Sequence, residues 1–537
     1  AGEIRIIGGE LNATSLRSVG SNALVSVSGG VANLANFQIT GNYGKISVSG
    51  GYTTVTTDSR VAAGNTTWDV SGGVLNLSKH TIGSSSANNT NNIMTVSGDA
   101  QVTQNQGTGG GAARELWIGG NNGGSGTLIL KDNASWISSA ANGNTDVIIG
   151  RAASGSQSPV GVLTIQDNAS MIVQAGNAAA KVIRMADNSG NATGILNLNG
   201  GNLATIGIQR TSGSAFINAD GGKITALAES ASFFRNFGGI GGANSINLLG
   251  GGLTFDTGGY AVGITNVLSG EGGLTKQGGG VLTISGANTY TGATIISSDT
   301  LRLTGAGLLD SSSSITVENF ATLEITNVDS ALYTAGAFTL NNGTVIADFS
   351  TTNLTVGTLG TDGFANNINV VALPNLGVLP ARVPLIKYTT AAPGLVDGNN
   401  VLTALTATLP PLGNPEGYLT NNTATKTIEL VITSMVLTPV ITRQPEPDSA
   451  YAGYFAHFSV ELEITNSPSY QWRKDGDSLS NGGKFSGADT AVLRISDVSE
   501  AELGNYDVIV STVSGSVTSS PAALTLATPF GYEAAAG

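Results

Sequence analysis

Cysteine is missing from the chain of 537 residues. That removes disulfides, thiolate nucleophiles and Cys-based zinc sites together, so stability must come from a packed core and a backbone ladder. Charge is scarce as well: only 11% of residues are Asp, Glu, Lys or Arg, and these sum to −13. An acidic surface repels phosphate backbones and anionic lipid headgroups, which argues against nucleic acid and membrane surfaces as partners. Low charge has a second common cause, membrane insertion, but no run of 18 or more apolar residues exists, so no membrane-spanning helix is expected. Histidine is nearly absent, with only His80 and His457, and aromatic residues make up just 6%. No ten-residue stretch carries a convincing helical period. Apolar residues come instead in short runs such as Ile4–Ile7, Val147–Ile149 and Leu430–Ile432, which read as strands between turns.

Glycine is abundant, at 76 residues. It lacks a G-X-Y period, which excludes collagen, and the regular apolar runs exclude disorder. The glycines punctuate a repeat. "VSGG" starts at Val27, Val48 and Val70, with the variant "VSGD" at Val96, giving spacings of 21, 22 and 26 residues. Farther on, "LILKDNASW" (128–136) is answered 35 residues later by "LTIQDNASM" (163–171), and "LNLNGGNL" (196–203) follows in phase. A unit of 21–22 residues holding short strands and Gly or Asn corners is what one coil of a parallel β-helix requires. Longer spacings are read as coils with extruded loops, "GNNGGSG" (120–126) and "RAASGSQSPVG" (151–161). The expected inward residues over 1–303 are Val25, Val27, Leu75, Leu77, Leu128, Leu130, Leu163, Ile165, Leu196 and Leu198.

One stretch is more specific. In "GGLTKQGGGVLTISGANTYTGATIISSDTLRL" (272–303), Lys276, the Gly278–Gly280 cluster, Leu282 to Gly286, Asn288 to Gly292 and Leu301 to Leu303 follow a recognisable order. This segment resembles the autotransporter-associated β-strand repeat. Asp299 stands where that family usually has Gly. The resemblance implies a right-handed parallel β-helix in an exported bacterial passenger, with no activity attached. Residues 304–436 are read as a continuing or closing β-rich region of the solenoid.

A change of character follows, through the Pro-bearing "LTPVITRQPEPDSAYAG" (437–453). "YQWRKDG" (470–476) and "LRISDVSEAELGNYDVIVS" (493–511) resemble strands C and E–F of an immunoglobulin-like β-sandwich covering 437–527. The resemblance implies a core of Trp472 with Val460 and Val508, which take the places of the usual cysteine pair, and a tyrosine corner at Tyr506. Residues 528–537 are read as a tail.

Chemistry is sparse. Asp132 and Asp167 occupy matching repeat positions with Asp187 nearby, the one arrangement that could supply carboxylates for glycoside cleavage; "KDNAS" and "QDNAS" also read as turns whose Asp bonds its own backbone. His80, placed in a polar loop beside Lys79, and His457 fall in different domains, so neither a triad nor a zinc site is expected. Neither calcium-loop motif is present, the Gly clusters lack the Lys-Ser/Thr of a phosphate loop, and no cofactor is expected. Trp68, Trp117 and Trp136 would form a glycan-stacking stripe if they aligned. The reading is a non-enzymatic extracellular structural or adhesive protein, with a polysaccharide-binding or polysaccharide-cleaving β-helix as the alternative. The expected location is the bacterial surface or medium, with Ala1 read as the start of a processed form. Expected partners are further copies joined head to tail through the strand around Ile4, Ile6 and Ile7, other cell-surface components, or glycans.

Overall fold

A computed structural model describes residues 3–18, 21–39, 41–61, 64–83, 91–104, 115–120, 124–140, 147–152, 158–175, 182–188, 190–238, 243–307, 309–328, 333–350, 354–362, 366–374, 376, 379–390, 405–410, 415–435, 439–462, 468–512 and 515–528. The chain divides into two compact units. The first comprises Ala1–Val370, Pro384–Thr408 and Leu419–Glu429; the second comprises Val371–Val383, Leu409–Tyr418 and Leu430–Gly537. The central parts of both proposed loops (121–123 and 153–157), residues 437–438 of the Pro-bearing segment and the tail from 529 onward lie outside the described residues.

The first unit is a β-solenoid. One face is a parallel sheet of eleven strands, starting Glu3–Ile6, Leu24–Val27, Lys45–Val48 and Thr67–Val70. Each of these four-residue strands alternates side chains in and out, so residues one coil apart stack. The register sets Val25, Ile46, Trp68, Met94, Leu128, Leu163 and Leu196 in one interior column. Val27, Val48, Val70, Val96, Leu130, Ile165 and Leu198 form the next. All ten residues expected inward are buried, with at most 2% exposed. Each coil thus covers the apolar rung of the coil before it, and the core extends along the stack.

The other two faces begin as one bent sheet. Long strands, Glu10–Ser18, Val31–Ile39, Tyr52–Val61 and Val74–Ile82, run across both. Their register slips between Leu34 and Asn36 and between Val55 and Asp58, where the chain turns the corner. Beyond Val74–Ile82 the two halves separate: its first half pairs with Gln101–Gln104 and its second with Leu116–Gly120. From Val262–Ile264 onward a seven-stranded sheet takes over and reaches Leu405–Thr408, so the solenoid ladder extends well past residue 303.

The corner glycines answer to geometry. Gly51 has φ +74°, and a Cβ there would lie 2.5 Å from the carbonyl oxygen of Gly30, its counterpart one coil earlier. Only glycine fits both the left-handed backbone and the close stacking of corner on corner.

The second unit contains a two-sheet sandwich. Ser469–Lys474 pairs antiparallel with Gly504–Thr512, which pairs with Ala522–Leu526; the last runs parallel to Asp448–Ala450. The facing sheet contains Ala456–Ser459, Val492–Ile495 and Phe485–Ser486. Among the described residues no helix is long and apolar enough to cross a membrane.

Candidate functional site

The most organised polar constellation lies between Gly272 and Leu303, a stretch whose strands pair with one another from one coil to the next. Leu274–Gln277 alternates in the ordinary way, which turns Lys276 inward between Phe255 and Ile296. An ammonium there needs acceptors. Lys276 has no exposed surface, and its Nζ donates to the carbonyl oxygens of Gly278 at 2.7 Å, Ser298 at 3.0 Å and Gln277 at 3.1 Å. Burial pushes its pKa down to about 8, while Asp299 and Asp256 pull it back up. The glycine cluster lets the chain fold tightly enough to aim its carbonyls at the lysine. Thr257 Oγ1 donates to Gly279 O at 2.5 Å, and Gly280, at φ +86°, donates its N–H to Asp299 Oδ2 at 2.8 Å. That bond is the largest cause holding the Asp299 carboxyl below the usual range. Asp299 itself sits at φ +54°. The left-handed corner explains why Gly is usual at this place, and the carboxylate bond shows how Asp is accommodated.

The rest of the motif joins neighbouring coils. Asn288 Oδ1 accepts the Leu268 N–H at 2.9 Å. The buried Tyr290 hydroxyl lies 2.7 Å from Thr294 Oγ1, which lies 3.0 Å from Ser312 Oγ, and Ser312 donates to Gly292 O at 2.8 Å. Burial drives the Tyr290 pKa upward. These groups tie successive coils together; none is presented to solvent as a nucleophile or base.

The acidic candidates are separated. Asp132 and Asp167 stack at one corner, at φ +58° and +56°. Asp132 Oδ2 accepts the Gly98 N–H at 2.9 Å, and Asp167 Oδ2 accepts the Asp132 N–H at 3.1 Å. Each carboxylate thus satisfies the corner one coil earlier. Asp187 is on another face, buried beside Arg184 at 3.3 Å and Arg151 at 3.6 Å. The three do not assemble.

His80 does not occupy a polar loop. It lies within Val74–Ile82 and points into the core, because it follows Ser59 in an inward column. There it is fully buried against Trp68 and Trp136, with ring centroids at 4.9 and 6.3 Å, and its Nδ1 is 2.7 Å from Ser59 Oγ. Burial lowers its pKa to about 3. His457 is exposed in the sandwich, 3.8 Å from Asp448. Among the described residues no three metal-binding side chains converge.

The tryptophans form no exposed stripe either. Trp68 and Trp136 are interior rungs, each with no exposed surface. Trp117 points outward, yet only 5% of it is exposed. Lys79 Nζ and Arg151 Cζ lie 4.0 and 3.9 Å from its ring, and its Nε1 donates to Glu115 at 2.6 Å. Around it Arg17 bonds Gln38, Gln38 bonds Asp58, Arg60 pairs with Asp58, and Arg184 reaches Glu115 at 3.8 Å. This charged ladder was not legible in the sequence, because loops of unequal length separate its members.

Glu3–Ile6 pairs in register with Leu24–Val27, so Ile4 and Ile6 head the interior columns. Ile6 is 8% exposed and Ile4 42% exposed; Ile7, past the strand end, is 70% exposed.

In the sandwich Trp472 lies directly across from Val508. Val460, Trp472, Tyr506 and Val508 belong to one buried cluster. Trp472 Nε1 donates to Thr490 O at 2.9 Å, and the Tyr506 hydroxyl donates to Glu502 O at 2.6 Å, four residues upstream. Phe458 stacks on Tyr506 with centroids 4.9 Å apart.

Comparison with known proteins finds both modules. Residues 274–303 match the passenger-associated-transport-repeat. The clasp of Lys276, the glycines, Asn288 and Tyr290 lies within the matched residues, and the repeat associates the chain with exported, surface-associated passengers. Residues 439–525 match the immunoglobulin I-set domain. Among solved structures, titin domain M7 is 28% identical over 17% of this chain and 95% of its own, with a TM-score of 0.16. The titin M3 domain is 26% identical over 16% of this chain and 95% of its own, with a TM-score of 0.15. A search of curated proteins gave no match. Both matched families are structural modules.

Proposed function

We propose that this chain is a non-enzymatic passenger of the bacterial surface, a solenoid carrying an immunoglobulin-like module for adhesion. The match of 274–303 to the transport repeat carries this reading. In support, the buried polar groups of that stretch are used up in holding coil to coil, and the candidate carboxylates cap backbone N–H groups. Stability without disulfides comes from the continuous ladder, which suits an exposed location. The test is surface labelling of intact cells of the producing organism with a membrane-impermeant amine reagent. Label on this chain before lysis is expected; label appearing only after lysis would overturn the reading.

The finer proposal is self-association through Ile4, Ile6 and Ile7. It is supported by the exposure of Ile4 and Ile7 beside a strand paired on one side with Leu24–Val27. Apolar rungs at a sheet edge favour strand addition where no further coil covers them. Light scattering should show concentration-dependent growth in mass that is lost when residues 1–8 are removed. A strictly monomeric intact chain would refute it.

A further inference from the structure

The outward side of the eleven-stranded face changes character along the stack. Near its start it carries ions: Arg5 pairs with Glu3, and Lys45 with Asp69 at 2.8 Å. From Asn91–Val96 to Asn244–Leu248, six successive strands, every outward position is uncharged. In a chain of net charge −13, this is a neutral strip.

Its two central columns differ. One runs Ile93, Thr127, Val162, Ile195 and Phe216 in register, all half-buried. Beside it lies an amide ladder. Asn197 Nδ2 donates to Thr164 Oγ1 at 3.3 Å, Asn218 Nδ2 to Asn197 Oδ1 at 2.9 Å, and Asn247 Nδ2 to Asn218 Oδ1 at 3.1 Å. A carboxamide has two N–H donors and two acceptor lone pairs. Asn197 and Asn218, one coil step of ~4.8 Å apart, each spend one donor and one acceptor on the ladder and keep the others for a ligand. A mostly apolar row thus runs alongside the amides of Asn197 and Asn218.

We propose that this face binds a neutral, extended polysaccharide lying along the solenoid axis, its sugar faces on Val162, Ile195 and Phe216 and its hydroxyls on the Asn ladder. The coil step is close to the length of one extended pyranose unit, so sugars one step apart meet the Ile195–Asn197 pair and then the Phe216–Asn218 pair, with Val162 and Thr164 one coil earlier. The absence of charge favours a neutral chain over an anionic one, which the acidic remainder of the protein repels. Size argues against a second copy as the occupant. The strip measures about 24 by 14 Å, on the order of 350 Å², whereas a stable protein pair buries about 800 Å² on each partner. This inference goes beyond the passenger reading and does not depend on cellular location.

The experiment is native affinity electrophoresis of the full chain in gels containing hydroxyethylcellulose, with alginate gels as the anionic comparison. Retardation by hydroxyethylcellulose but not alginate is expected. It should weaken about tenfold in Phe216→Ala, the loss of one aromatic contact of roughly 1.4 kcal/mol. Asn218→Ala, which leaves the apolar row intact, should also weaken it, and circular dichroism melting of both variants should stay within a few degrees of the parent to show that they fold. No retardation, retardation by alginate alone, or equal retardation of parent and folded variants would overturn the proposal. So would a mass doubling on light scattering that Ile195→Arg abolishes, because it would assign the face to a second copy.

Discussion

Replacing His80 by leucine should make the solenoid more resistant to acid. His80 is enclosed by Trp68 and Trp136 on the inner side, and its ring bonds Ser59. Its pKa falls from 6.5 to about 3 through burial. The sign follows from proton binding: between those values the unfolded chain takes up a proton at this site and the folded chain does not. Stability from this group is therefore complete above 6.5 and declines as pH falls toward 3. At about pH 4.5 the difference amounts to about 3 kcal/mol. Asp299, Asp475 and Glu502 also have lowered pKa values, so acid destabilises parent and variant alike through them, and their contribution cancels in the comparison. Urea denaturation of both proteins at about pH 7 and pH 4.5, followed by circular dichroism, reads the effect. The variant should lose about 3 kcal/mol less than the parent. Equal losses would refute the burial of a neutral imidazole.

Other substitutions test particular contacts. Trp472→Ala should cost the sandwich about 3–5 kcal/mol in denaturant, because it empties the centre of the buried cluster. Tyr506→Phe should cost about 1 kcal/mol through loss of the bond to Glu502 O. Gly280→Ala places a Cβ 2.3 Å from Tyr260 O at φ +86°; a loss of about 2–3 kcal/mol is expected, since backbone offers little room to yield. Asp132→Asn keeps an oxygen acceptor for the Gly98 N–H and should change stability by less than about 1 kcal/mol, measured by thermal melting.

Much of the solenoid could be read from the chain, because one coil's alternation repeats in the next. "VSGG" reports the corner, and the residues before it report the interior column; the register pairs Val27 with Val48 and Val48 with Val70. Reading failed where a residue's surroundings come from coils at irregular spacing. His80 sits among polar neighbours in sequence, Ser78, Lys79 and Thr81, yet alternation turns Lys79 outward and His80 inward. Trp68 and Trp136 lie 68 residues apart and meet the same histidine only through the stacking of coils. The Lys276 clasp was visible as a motif, but not its cause, since the Ser298 carbonyl and the Asp299 carboxylate approach from the next coil. In the sandwich, Trp472 and Tyr506 were recognisable from the strand motifs that carry them, and their partners stay near in the chain, Thr490 after Trp472 and Glu502 before Tyr506.

Coil-on-coil register is the claim on which the rest depends, and the lack of cysteine allows it to be measured with paired spin labels. Ser26, Ser47, Asp69, Thr95, Ile129 and Thr164 occupy one outward column, which continues through Asn197 and Asn218 to Asn247. Labels at Ser26→Cys and Thr164→Cys are five coil steps apart, and labels at Ser26→Cys and Asn247→Cys are eight. Double electron–electron resonance should give distances near ~24 and ~38 Å, in the ratio of the steps. Distances that do not rise with step number, or a broad distribution for the shorter pair, would contradict the stacked solenoid.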